Sequence, residues 1–540
     1  MQSIWMGLAS ASIAGLILGG WAVGVVWACK DEAAAVRFAR WSGRLLEALL
    51  LVNLAGLFCG FALWIFGGSE AGTVDAADWQ LCLDNRSILA FDGTAWLMSL
   101  LVAFVGWSVC RFSRQYLAGD ARQAAYWGWL AATLGSVQLM VAAGNLLVFL
   151  FAWTASSLFL HQLLLYHRDR SLARRAAATK FTFSRLADVL LYGAAALLYW
   201  RSGTLEFGLL RDWLVGRGSD EGLWISLACI LFVIGAAIRS AQVPFHFWLP
   251  LTLDTPTPVS ALMHAGIVNG GGFAAIRLSF LLVESPLAMN VLALLGFMTA
   301  LLAGLVMLTQ PTIKGSLAWS TVAQMGFMLF QCGLGAFSAA LLHIISHSLY
   351  KAHAFLSSGS VIAERSGLEP AVARRELGRP LVAAILLVAT GLVVLVASLS
   401  GVNLWEKPGG VILGGILSLG IATWLLRLAE TALPIEGGLG HWLKGLGLAV
   451  VVVVGYFLSW RVLDGMVQPP KTDLIGVSTP WLGVAIWILV TNWLIWNRGV
   501  WVGQTESPRL EAWRVHASQG FYLDSLVRRS LGSVAPSLQR

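Results

Sequence analysis

Apolar runs of 18 or more residues recur along the whole of this chain. A run of that length is what a helix needs to cross the hydrocarbon of a bilayer. Each is therefore read as a membrane span, and the expected fold is all-α: a polytopic inner-membrane protein of roughly 15 transmembrane helices. The spans fall near 4–28, 45–68, 93–110, 124–142, 145–166, 182–200, 221–239, 258–283, 287–309, 315–334, 337–362, 380–400, 410–433, 445–463 and 481–498. Composition agrees: 58% of the 540 residues are hydrophobic and 12% are charged. A soluble protein would carry about twice that charge. The first run lacks a basic segment before it and is read as a retained helix, not a cleaved signal peptide.

The net charge of +8 does not point to nucleic acid, because the basic residues sit in short loops between spans. Loop 29–44 holds Lys30, Arg37, Arg40 and Arg44; loop 111–123 holds Arg111, Arg114 and Arg122. Loop 167–185 holds Arg168, Arg170, Arg174, Arg175, Lys180 and Arg185, and loop 363–379 holds Arg365, Arg374, Arg375 and Arg379. Loop 69–92 is acidic, with Glu70, Asp75, Asp78, Asp84 and Asp92. Basic loops face the cytoplasm. The N-terminus is then outside and the C-terminus cytoplasmic. The six cysteines are scattered, and no CxxC or Cys/His cluster has zinc spacing. No metal or other cofactor is expected in this chain.

One stretch departs from the pattern of plain spans. From Ile238 to Leu278 the chain reads through Arg239, Pro244, His246, Pro250, Thr255-Pro256-Thr257-Pro258, His264 and Asn269. In hydrocarbon a broken helix survives only where protein or a water-filled cavity satisfies the freed backbone groups. An ionisable residue beside such a break is a candidate functional group. Arg239, His246 and His264 all lie near the break at Pro244 to Pro250. A second polar pattern lies at 343–351. His343, His347 and Lys351 are spaced i, i+4 and i+8, a slowly drifting stripe about 12 Å long on one helix. Such residues are costly in lipid and should face the interior.

Several of these elements together resemble the antiporter-like proteins, which include the proton-pumping membrane subunits of respiratory complex I and the large subunits of Mrp cation antiporters. The residues that carry the resemblance are Ser240-Ala241-Gln242, Pro244, Trp248-Leu249-Pro250, Pro256 to Leu262 and His264-Ala265, with Asp92-Gly93 opening a span and His343, His347 and Lys351 in the second half. The resemblance covers residues 90–365 well and the remainder loosely. It implies two inverted five-helix repeats over roughly spans 4–8 and 9–13. It also implies an ion pathway through Arg239, His246, His264, Lys314, His343, His347 and Lys351. Thr154, His161, Asn269, Glu406 and Lys407 are further candidates. Glu406 and Lys407 equally fit a solvated loop end, and His353 sits off the stripe.

Two positions depart from the family. Thr154 stands where energy-converting members place a glutamate, and Arg239 where they place a lysine. Arginine stays protonated in proteins, so Arg239 reads as a fixed charge that biases His246 or His264, or holds a carboxylate or anion. His161, seven residues after Thr154, lies on roughly the same helical face. It is either a substitute titrating group or a satisfied interhelical histidine.

Thr154, the run His264 to Gly272 and the tail Gly520-Phe521-Tyr522-Leu523-Asp524 look most like the membrane subunit of the two-component inorganic-carbon uptake complex called DAB. That likeness implies a soluble, carbonic-anhydrase-like partner on the cytoplasmic side, which carries zinc and hydrates CO2 while protons or Na+ run downhill through this chain. The alternatives are a subunit of a redox-driven proton pump, an Mrp-type cation/proton antiporter, or a non-conducting membrane anchor for a soluble enzyme. None of these readings makes the chain itself an enzyme. The expected organisation is N-terminal spans with the acidic external loop (1–92), an ion-translocating core (93–434), C-terminal spans (435–498) and a cytoplasmic or interfacial tail for partner docking (499–540).

Overall fold

The computed structural model describes residues 32–67, 79–83, 86–120, 122–218, 221–359, 378–407, 409–432, 438–467 and 508–523, with residues 525 and 529. The expected spans 4–28 and 481–498, half of the acidic loop and most of loop 363–379 lie outside these residues.

The elements follow in order: α1 (Glu32–Gly67), a hairpin of β1 (Trp79–Leu83) and β2 (Arg86–Phe91), α2 (Gly93–Tyr116), α3 (Gln123–Val141), α4 (Leu146–Leu164), α5 (Ser171–Ser202), α6 (Phe207–Gly216) and α7 (Gly222–Arg239). Short helices α8 (Trp248–Leu251), α9 (Thr257–Ala265), α10 (Gly270–Arg277) and α11 (Ser279–Leu282) follow. Then come α12 (Pro286–Leu308), α13 (Ile313–Gly333), α14 (Phe337–Leu356), α15 (Arg379–Leu399), α16 (Gly410–Ala432), α17 (Gly438–Val467) and α18 (Pro508–Ser518). Ten helical segments among the described residues are long and apolar enough to cross a membrane. Helices α13 and α14 fall short of that measure, and α14 is diluted by His343, His347 and Lys351.

Polar caps begin the long helices. Asp92 accepts from Ala95 N at 2.8 Å to open α2, Asn145 from Val148 N at 2.8 Å to open α4, and Thr312 from Gly315 N at 3.1 Å to open α13. Each satisfies a first-turn donor that would otherwise lack a partner. Asp92 also pairs with Arg277, which donates to Ala143 O at 3.2 Å, so one carboxylate ties α2 to α10.

The structure differs from the sequence reading in several places. Helix α1 starts at Glu32, not near 45, so Arg37, Arg40 and Arg44 of the supposed loop are helical. Residues 79–91, read as part of a loop, form an antiparallel hairpin with Trp79 opposite Phe91. The hairpin is anchored by Ala90 N to Ala142 O and Gly144 N to Ile88 O, both 2.8 Å, so neighbouring helix ends supply the pairing that a lone hairpin lacks. Helix α5 starts at Ser171, not near 182, and draws Lys180 and Arg185 out of the supposed loop. The span read as 258–283 is broken at Gly266, where a single 3₁₀ turn, Ile267–Asn269, separates α9 from α10.

The first break is closed by protein. Val243 N donates to Thr299 Oγ1 at 3.0 Å, Trp248 Nε1 to Ile238 O at 3.2 Å, and Gln242 N to Ala237 O at 3.0 Å. Thr252 and Thr255 hydroxyls cap Leu249 O and Thr252 O. The main core runs from α1 through α14, and a smaller one joins α15, α16 and α17.

Helices α12 and α13 meet backbone to backbone. A Cβ on Gly326 would lie 2.5 Å from Ala300 N and 2.7 Å from Gly296 O, whereas one on Gly193 would meet nothing within 4 Å. Gly326→Ala should destabilise the protein by about 1–3 kcal/mol through overpacking, and Gly193→Ala should not. Thermal unfolding of the detergent-solubilised variants checks this; equal midpoints would contradict the close approach.

Candidate functional site

The sequence-predicted residues fall into two interior groups and one peripheral one. The first group lies where α4, α5 and α7 meet. Arg239, the last residue of α7, pairs with Asp188 of α5. Its guanidinium also donates to Trp153 O at 3.1 Å and lies 5.0 Å from the centre of the Trp153 ring. Thr154 donates to Asp188 Oδ1 at 3.2 Å. Arg185 approaches the other carboxylate oxygen at 2.9 Å. Arg239 thus takes the second of its two expected roles: it holds a carboxylate. That carboxylate comes from α5, one helix away from the position where Thr154 replaces the glutamate.

Below this pair lies Lys180, 4% exposed, whose ammonium donates to both O and Oγ of Ser157 at 2.7 Å. His161 follows, with Nδ1 3.2 Å from Ala177 O and its ring against Phe181. The carbonyl fixes Nδ1 as the donor, and the other ring nitrogen has no hydrogen bond of that kind.

The second group lies where α9, α13 and α14 meet. His343, His347 and Lys351 form the expected stripe, with the two imidazole rings 6.0 Å apart. His343 Nδ1 is 2.9 Å from Gln331 Oε1. Lys351, 1% exposed, donates to Leu317 O at 3.0 Å and to Ser320 Oγ. His264 is fully buried and stacks on Phe355 with ring centres 4.4 Å apart. Among the described residues neither ring nitrogen of His264 or of His347 has a hydrogen-bond partner. His353 faces outward, off the stripe. Lys314 donates to Thr257 Oγ1 at 3.0 Å, at the end of the bundle where Tyr116 also lies. His246 is buried against Trp319, with ring centres 5.2 Å apart, and neither it nor His264 joins the Arg239–Asp188 pair.

Asn269 borders a cavity lined by α4 of the first group and α14 of the second. It sits in the Gly266 break, caps Ala265 O at 2.9 Å and donates to Ser348 Oγ of α14 at 2.9 Å. A small cavity of about 40 Å3 lies beside it, lined also by Trp153, Ser156 and Ser348. That volume suits one water-sized guest. A larger cavity, about 480 Å3, reaches His343 between α13, α14, α16 and α17 and is lined by Gln331, Ser346, Tyr456 and Ser459.

The peripheral group is at residues 403–407. Glu406 is exposed and accepts from Asn403 at 2.6 Å, as a solvated loop end would. Lys407 pairs with Asp464 at 3.1 Å, and the other oxygen of Asp464 accepts from Ser338 in the first turn of α14. Sequence reasoning missed Lys180, Asp188 and Asp464. The signal was available for the first two: with Arg185 they are charges inside a continuous helical pattern, which hydrocarbon tolerates only in the interior.

Asp188→Asn would leave a buried guanidinium without its counter-charge, at a cost of about 3–5 kcal/mol. Removing both charges as Asp188→Leu with Arg239→Met should recover most of that loss. Chemical or thermal unfolding of the two variants measures the difference, and a double variant as unstable as Asp188→Asn would contradict the pairing.

Two family models match the chain: one described as the transmembrane region of NADH:quinone oxidoreductase/Mrp antiporter, over residues 143–404, and one described as the N-terminus of complex I chain 5, over residues 83–127. The protein named "Probable inorganic carbon transporter subunit DabB2" from Halothiobacillus neapolitanus is 37% identical over 81% of this chain and 79% of its own. "Probable inorganic carbon transporter subunit DabB" from Hydrogenovibrio crunogenus is 33% identical over 79% of this chain and 80% of its own. Among solved structures, a chain of the archaeal membrane-bound sulfane sulfur reductase superposes with a TM-score of 0.58 at 18% identity, covering 90% of this chain and 96% of that one, which shows a shared fold. The interrupted helix, the buried His-His-Lys stripe and these matches together place the chain: it belongs to the NADH:quinone oxidoreductase/Mrp antiporter family of multi-span membrane subunits, the family it shares with the DabB proteins.

Proposed function

We propose that this chain is the cation-conducting membrane subunit, with protons as the ion, of an energy-coupled inorganic-carbon uptake complex in the bacterial inner membrane. The observation that carries the reading is the buried stripe His343, His347 and Lys351 on α14, with His264 facing the same interior. Proton transfer needs titratable groups at hydrogen-bond or one-water spacing. The two imidazole ring centres are 6.0 Å apart, and the nitrogens of His264 and His347 have no hydrogen-bond partner among the described residues. Imidazole changes charge near neutral pH, and lysine can do so when desolvated. Lys314, which donates to Thr257, and His246, packed against Trp319, are further candidates outside the stripe, while Arg239 supplies a fixed charge balanced by Asp188.

The likeness to the DabB proteins supports inorganic carbon as the cargo of the complex. In this reading a soluble, carbonic-anhydrase-like partner carries zinc and hydrates CO2, and this chain delivers the driving force. The basic loops support a cytoplasmic side for α18 and the tail, which in this reading is where such a partner docks. The energy is adequate: one charge crossing 100 mV is worth about 2.3 kcal/mol, well over tenfold in an equilibrium. The family models support a second reading, a subunit of a redox pump or an Mrp-type antiporter.

The test is uptake of labelled inorganic carbon in cells lacking carbonic anhydrase that express this chain with its candidate partner, with and without an uncoupler. Partner-dependent accumulation that the uncoupler abolishes is the expected result. Lys351→Ala and His347→Ala should each lower it at least tenfold with the complex still assembled. No accumulation by an assembled complex with a competent partner would favour the antiporter or redox-pump reading. Full activity in both variants would favour a non-conducting anchor.

A further inference from the structure

We propose that Lys180 is the proton-carrying lysine of the first half of the bundle, reached from the basic-loop end through His161. The inference rests on the proton-conducting part of the reading above and on nothing about the cargo.

Lys180 is 4% exposed in the first third of the helix Ser171–Ser202, about 13 Å along the axis from Ser171. Buried lysines are normally matched with a carboxylate. Among the described residues no carboxylate lies within ion-pair distance of this one, and its two hydrogen bonds go to Ser157 O and Oγ. Its surroundings are cationic on balance. From α5 itself come Arg185 and Asp188, from α7 Arg239, and from α4 His161. The turn at 252–254 adds Asp254, which is held by Arg170 at 3.0 Å toward the exposed end. Asp188, the near carboxylate, is engaged by Arg239 and Arg185.

This arrangement divides two duties between two residues. Arg239 cannot release a proton and serves as a permanent charge. Lysine can release one in a desolvated site, which is why buried lysines serve as bases. Ser157 suits both states: its carbonyl and hydroxyl oxygens accept from the ammonium, and its hydroxyl can donate to the amine. The step is a proton transfer alone. Lys180 takes a proton on Nζ from the His161 side and gives it up toward the hydroxyls it faces: Ser157, to which it is hydrogen-bonded, and Ser184, one helical turn from both Lys180 and Asp188 on α5.

The full complex in liposomes containing a pH-sensitive dye tests this under an imposed potential. Lys180→Met and Lys180→Arg should each reduce proton flux below about a tenth of wild type, because neither side chain cycles a proton. Size-exclusion chromatography establishes assembly, and if Lys180→Met does not assemble, Lys180→Arg decides. Ser157→Ala keeps the lysine but removes its hydroxyl partner, and should move the pH of half-maximal flux by about half a unit or more. At least half of wild-type flux in Lys180→Arg, or an unchanged profile in Ser157→Ala, overturns the assignment of Lys180 alone. No proton flux in the wild-type complex overturns proton conduction and this assignment together.

Discussion

A helix can be interrupted in hydrocarbon only if protein replaces the hydrogen bonds it gives up. Between Arg239 and Thr257 the replacement is local and dense. Thr299 caps Val243 N, the Trp248 indole reaches Ile238 O, and two threonine hydroxyls close the carbonyls of the following turns. The second interruption, at Gly266, is closed by Asn269 through Ala265 O. Three of the buried polar groups sit at these two breaks. Arg239 ends the helix before the first one, His264 lies just before the second, and Asn269 sits in it.

Charge burial follows the same rule. The guanidinium of Arg239 is matched by Asp188 and braced by the Trp153 carbonyl and ring. Thr154 does not simply lose a carboxylate from α4, because its hydroxyl donates to the one that α5 supplies. The carboxylate that matches Arg239 comes from α5, the helix next to the one that carries Thr154. Asp464 acts similarly in the second half, joining Lys407 to Ser338 at the start of the helix that carries His343.

Asn269 ties the turn after Gly266 to Ser348 of α14, and the cavity beside it is also lined by Trp153 and Ser156 of α4. A neutral amide can position neighbours and bind water, but it does not exchange protons in this pH range. The small cavity beside Asn269 has a mostly apolar lining, which includes neither Asp188 nor Lys351.

Much of this was legible in the sequence. Apolar runs alone place most of the helices, since hydrocarbon demands length and hydrophobicity from each span separately. The break at Pro244 to Pro250 and the His343-His347-Lys351 stripe were visible because proline chemistry and helical period are local properties. The partners were not. Nothing in the sequence says that Asp188 faces Arg239, that Lys180 meets Ser157, or that Asp464 reaches both Lys407 and Ser338. Those contacts join residues far apart in the chain, and only the packing of helix on helix decides which charges are matched and which are left without a counter-ion. The sequence determined that this chain crosses the membrane many times and carries titratable groups inside it; the tertiary structure decided which of them are held fixed, because a buried charge is defined by its neighbours.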